Sequence, residues 1–249
     1  AAIEGAGSGG AMPGFGTALR EIWQEREARH FTVFVFVSMV AYSAQDLILE
    51  PYAGTVFGMT PGESTQLAGI QHSGVLLGML IVAASGSLLR SASASVLRLW
   101  TVGGCIASGL ALFGIAAGGR AVEAWPLTAN VFALGLANGM FAVAAIASMM
   151  TLAGHGTARR EGLRMGLWGA AQAIAFALGG FLGTVAIDVT RQFTTEPATA
   201  YATVFSAEAA LFLLAAWLGA SIRSGSQVKE ARPGPSFGDV ALTSVFQDR

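Results

Sequence analysis

Six stretches of this chain, roughly 31–49, 65–89, 97–118, 126–152, 163–187 and 200–222, are apolar over lengths that few soluble elements reach. Crossing the ~30 Å hydrocarbon core of a bilayer takes about 20 mostly apolar residues at 1.5 Å each, and all six qualify. Buried helices of a soluble protein are the competing reading, but they need amphipathic neighbours to cover them. Here only 12% of residues are charged, against roughly 25% in soluble domains. Hydrophobic residues make up 53%, and 33 glycines come on top of that. The runs also lack the period-two alternation of an outer-membrane barrel and are too long for its strands. The expected fold is therefore all-α, a polytopic membrane protein with six transmembrane helices.

Basic residues set its orientation through the positive-inside rule. Arg20, Arg26, Arg29, Arg90, Arg98, Arg159, Arg160, Arg164, Arg223, Lys229, Arg232 and Arg249 fall on one side of the expected bundle. Arg120 and Arg191 alone fall on the other. Both termini are thus expected in the cytoplasm. Residues 1–30 read as a cytoplasmic linker and entry segment, 31–222 as the six-helix domain and 223–249 as a flexible cytoplasmic tail. The Gly- and Ala-rich opening, Ala1–Gly16, lacks the basic start and cleavage pattern of a signal peptide, which suggests part of a longer protein. In the first outer loop, Thr60-Pro61-Gly62-Glu63 has the form of a capping box with proline at the first helical position. Pro51 disfavours helical geometry at Glu50, so the first helix is expected to stop there, leaving 50–63 as a partly apolar connection at the outer interface.

Some functions are excluded early. A formal net charge of −1 argues against nucleic-acid binding. The lone Cys105 rules out an intrachain disulfide and any CxxC metal site. No hydrolytic triad, phosphate-binding glycine loop or zinc spacing occurs, so no enzyme activity is expected.

Polar side chains within the spans are the functional candidates, because they are costly in lipid. Gln45, Asp46 and Glu50 close the first helix, Asp46 and Glu50 sharing a face. They read as an interfacial, solvated group, as a polar site lining a cavity, or as a structural hydrogen-bond cluster with the second helix. Gln71 and His72 lie about two turns into the second helix. A neutral imidazole can serve as axial ligand to the magnesium of a chlorophyll-type pigment, its other nitrogen oriented by a neighbour. Small neighbours, Ala68, Gly69, Ser73 and Gly74, leave room for a macrocycle; hydrogen bonding within the bundle is the plainer reading. Asn138, Gln172 and Glu208 are the polar residues of the last three helices. Glu208, deep in its span, is expected either to hydrogen-bond across helices or to carry a coupled proton. The pairs Gly74/Gly78, Gly135/Gly139 and Gly179/Gly183 have the spacing that lets helix backbones approach closely in lipid.

Four strings resemble the PucC and LhaA group of bacteriochlorophyll-delivery proteins: SMVAYSAQDLILEP from Ser38 to Pro51, FGMTPGEST from Phe57, QHSGVLLGM from Gln71 and RMGLWGAAQAIAF from Arg164. That group belongs to the major facilitator superfamily, with twelve helices in two halves, and the chain looks like the second half. The resemblance implies a half bundle of two inverted three-helix units, although no residue-level repeat is legible between them. It further implies an assembly factor for bacterial light-harvesting complexes. Such a factor handles bacteriochlorophyll and meets light-harvesting alpha and beta polypeptides in the photosynthetic intracytoplasmic membrane, beside an N-terminal six-helix half. Two alternatives stand: a secondary transporter of a small solute or tetrapyrrole, and a permanent structural subunit of a light-harvesting assembly.

Overall fold

The structure, a computed structural model, describes residue 20 and residues 23–88, 94–154 and 158–221. The opening segment Ala1–Gly16, the 223–249 tail and Arg90 lie outside the described residues. Among the described residues six long helices follow one another: α1 Arg26–Phe57, α2 Pro61–Leu88, α3 Ala94–Gly118, α4 Leu127–Gly154, α5 Ala158–Phe193 and α6 Pro197–Ser221. Each contains a stretch long and apolar enough to cross a membrane, and no strand occurs among the described residues.

The expectation that α1 ends at Glu50 is wrong. The helix runs through Pro51 to Phe57 and stops at Gly58, whose φ of 67° is left-handed. Proline removes one backbone donor and crowds the preceding turn, but tertiary packing holds the last two turns in place. Tyr52 is fully buried, donates its hydroxyl to the Ile115 carbonyl at 2.7 Å and packs its ring on Tyr201 and Phe205. The connection between α1 and α2 is therefore only Gly58–Thr60. The expected capping box then opens α2. Glu63 accepts from the Thr60 N–H and hydroxyl, both at 2.8 Å, and Thr60 Oγ1 accepts from the Glu63 N–H at 3.4 Å.

Consecutive helices are mostly not the main partners. The most extensive pairings are α2 with α4, α1 with α5, α3 with α4 and α6, and α1 with α6. Exchanging the first three helices for the last three leaves this pattern unchanged. The glycine pairs make the parallel pairings close. A Cβ on Gly74 would sit 2.5 Å from the Phe132 carbonyl oxygen, and one on Gly78, Gly135 or Gly139 would overlap the carbonyl of Leu136, Gln71 or Val75. Gly179 repeats the device on α5, where a Cβ would stand 2.5 Å from the Val40 carbonyl oxygen of α1. In lipid, where burying apolar surface between helices gains little, such backbone contact supplies the van der Waals packing.

Two aromatic clusters fill the bundle. Towards one end, Phe31 meets Trp168 edge-on at 4.9 Å, and Phe141 bridges Phe34 and Phe212, at 6.1 Å from each. Towards the other, Tyr52 gathers Phe57, Tyr201 and Phe205. Arginines tie down the helix ends. Arg98 donates to the Ala220 carbonyl at the C-terminus of α6, where a cation also suits the helix dipole. Arg164 pairs with Glu25 at 2.5 Å and donates to the Leu152 carbonyl, joining α5, α4 and the approach to α1.

Candidate functional site

A polar level separates the two aromatic clusters. In α1 the step from Tyr52 to Gln45 is about two turns into the bundle, and in antiparallel α6 the step from Tyr201 to Glu208 is the same length. Phe34 meeting Gly219 further along keeps that register, so Gln45 faces Glu208 across the α1/α6 seam. Gln45 is fully buried and Glu208 is 3% exposed. Neither amide atom of Gln45 and neither carboxyl oxygen of Glu208 has a hydrogen-bond partner among the described residues. Gln45 leans towards Asp46 without closing a hydrogen bond. Asp46, partly buried, accepts from Gln71 Nε2 at 3.1 Å and lies within electrostatic range of both Glu208 and His72. The structure thus brings Gln45, Asp46, Gln71, His72 and Glu208 into one strip that runs from the interior to the surface of α2.

His72 stands at the exposed end of that strip. Its Nδ1 lies 2.8 Å from the Ala68 carbonyl oxygen, one turn back. A carbonyl only accepts, so this contact places the proton on Nδ1, and the neutral ring then presents the Nε2 lone pair outward. Around it the surface is open and apolar: Gly69 has nothing within 4 Å of a notional Cβ, and Leu76 and Leu80 are more than half exposed. Neighbouring Gln71 is buried, because successive helix residues turn by about 100° and carry it round towards Asp46 of α1. Gly74 does not border this face; it is consumed in the α2/α4 contact.

Other expected residues are placed elsewhere. Glu50 is exposed on α1, and Gln172 is partly exposed on α5. Asn138 is buried, and its Oδ1 accepts from the Ser108 hydroxyl of α3 at 2.7 Å. Ser108 was not singled out from sequence; a serine next to Gly109 in an apolar helix is the only signal it gives. An open apolar groove of about 610 Å³ lies at the end bearing the α1–α2 connection, lined by Phe57, Met59, Ile70, Trp125, Leu127 and Phe132. Among the described residues no group of three His, Cys, Asp or Glu side chains is placed to hold a metal ion.

Comparison with known proteins gives this arrangement a family. A Rhodobacter capsulatus protein named "Bacteriochlorophyll synthase 44.5 kDa chain" is 53% identical over 204 residues, covering 82% of this chain and 46% of the relative. "Protein PucC" of Cereibacter sphaeroides is 28% identical over 207 residues, covering 81% of this chain and 43% of that protein. A second Rhodobacter capsulatus protein, from the puhA-bchM intergenic region, is 30% identical over 225 residues, 84% of this chain and 45% of its own. The chain spans less than half the length of these relatives. No solved structure matches it. The family model described as "PUCC protein" matches residues 6–225, which contain all six helices, and the chain belongs to that family.

Proposed function

We infer that this chain handles bacteriochlorophyll during the assembly of bacterial light-harvesting complexes, binding and passing on the pigment without catalysing a reaction. The observation that carries the reading is His72. Its Nδ1 is engaged by the Ala68 carbonyl, so the free nitrogen faces outward over a face cleared by Gly69. That is the donor a pigment magnesium requires: a neutral imidazole whose second nitrogen is fixed by a hydrogen bond. Asp46, in electrostatic range of the ring, adds local negative potential beside it. The bound pigment would supply the light-absorbing macrocycle; the protein would supply the ligand and a flat apolar wall. The printed name of the 53%-identical relative supports the link to this pigment.

The exposed apolar faces of α2 and α5, with Leu76, Leu80, Phe181 and Leu182 outward, suit antenna polypeptides or a further six-helix unit as partners. The arginine distribution supports cytoplasmic termini in a photosynthetic inner membrane. The test is an absorption spectrum of the purified chain in mild detergent, with pigment quantified per protein. In a folded His72→Ala variant, bound pigment is expected to fall severalfold. Unchanged pigment content would remove His72 from the site. A colourless wild-type chain would move the weight to solute transport, which uptake into vesicles measures.

A further inference from the structure

We propose that Glu208 and Gln45 form a buried proton-binding site at the α1/α6 seam, in which the Glu208 carboxyl holds the proton and the Gln45 amide is its hydrogen-bonding counterpart. The common register of Phe34 with Gly219 and of Tyr52 with Tyr201 sets these two side chains opposite each other. Each is at least nine-tenths buried, and none of their four polar atoms closes a hydrogen bond with another described residue. Aromatic clusters above and below close the level off.

The choice of ligand follows from the chemistry of the two groups. A bare carboxylate at this depth forfeits hydration with no cation to replace it, a cost of several kcal/mol or more. Among the described residues no lysine, arginine or histidine acts on Glu208; the charge within its range is Asp46 on α1, itself acidic. Between Gly109 and Gly118 α3 has no ionisable residue, and neither has α5 from Gln172 to Ile187; α4, whose Phe141 touches Phe212, has none at all. A second carboxyl within electrostatic range makes double ionisation worse still. A neutral carboxylic acid, by contrast, has one donor and one acceptor, and a primary amide has both as well. Rotation of the two side chains towards each other closes a reciprocal pair that needs one proton from solvent. Asp46, partly exposed and hydrogen-bonded to Gln71, stands between this pair and the surface and gives the proton a way in. The site does not depend on whether His72 meets a pigment.

The test is infrared difference spectroscopy on the full chain in nanodiscs across a pH titration. The C=O stretch of a protonated carboxyl is expected to persist at pH ~7, where ordinary glutamates are ionised. It is expected to vanish in Glu208→Gln, to shift in Gln45→Met as the amide partner is lost, and to survive in Asp46→Asn. Absence of the band at neutral pH, its survival in Glu208→Gln, or its loss in Asp46→Asn with Glu208 intact would each overturn the assignment. So would its disappearance on replacing choline by sodium at constant pH and ionic strength, which would make the site a cation site. Circular dichroism on each variant separates these outcomes from unfolding.

Discussion

Gly139→Ala is expected to destabilise the bundle by about 1–3 kcal/mol, although alanine is the better helix former. A β-carbon at Gly139 would overlap the Val75 carbonyl oxygen and stand 2.8 Å from its carbon and 2.9 Å from its Cα. All three are backbone atoms, so no rotamer change relieves the clash and α2 must move away from α4. Overpacking of this kind costs about 1–3 kcal/mol. Separation also removes the Cα–H···O contact that the glycine directs at that carbonyl, worth about 0.5–1 kcal/mol. Alanine's helix propensity returns at most about 1 kcal/mol. Gly69→Ala is the matched control, on the same pair of helices and with nothing within 4 Å of the new methyl. It is expected to be neutral or stabilising by up to about 1 kcal/mol. The two variants should therefore differ by about 1–4 kcal/mol in SDS-titrated unfolding in mixed micelles, followed by circular dichroism. Equal stabilities would refute the claim that backbone contact holds α2 to α4.

Three further perturbations probe other levels of the fold. Tyr52→Phe removes the donor to the Ile115 carbonyl across the α1/α3 contact and should cost about 1–2 kcal/mol in the same unfolding assay; no change would mean that ring packing alone carries α1 past Pro51. Ser108→Ala strips Asn138 Oδ1 of its donor and should cost about 1–3 kcal/mol, while a compensating Asn138→Leu in the double variant should recover part of the loss. Thr60→Ala opens the capping box and should cost about 0.5–2 kcal/mol, read as faster hydrogen exchange confined to the first turn of α2.

Some of this was legible in the residues and some was not, for identifiable reasons. Length and apolarity mark all six helices because lipid imposes one requirement, a satisfied backbone over the membrane thickness. The glycine pairs announce close contacts because only small side chains permit them. Which helix each pair meets is not announced: helices that are apolar on every side carry no stripe pointing at a partner. Pro51 misled because its local preference is real, and only the distant ring of Tyr201 and carbonyl of Ile115 outweigh it. Gln45 and Glu208 were each visible as polar residues in apolar runs. Their opposition depends on the register between helices far apart in sequence, which no local pattern encodes. His72 and Gln71 looked like one unit, yet adjacent helical positions face different surroundings, and only the fold says which faces out.

The pairing of α1 with α5 and α6, and of α2 with α4, also constrains how the chain is made. A segment emerging into the membrane finds its neighbour in sequence already there, but here that neighbour is seldom the one it was shaped to hold. The first helix must wait with Gln45 and Asp46 in place while four more spans are synthesised, since the surface that covers Gln45 belongs to the last. Until α6 arrives, Gln45 needs water, lipid headgroups or an insertion factor for company, whereas Asp46 already has Gln71 of α2. Completion of α6 is thus the event that closes the α1/α6 seam, and synthesis stalled before residue 197 leaves Gln45 without that cover.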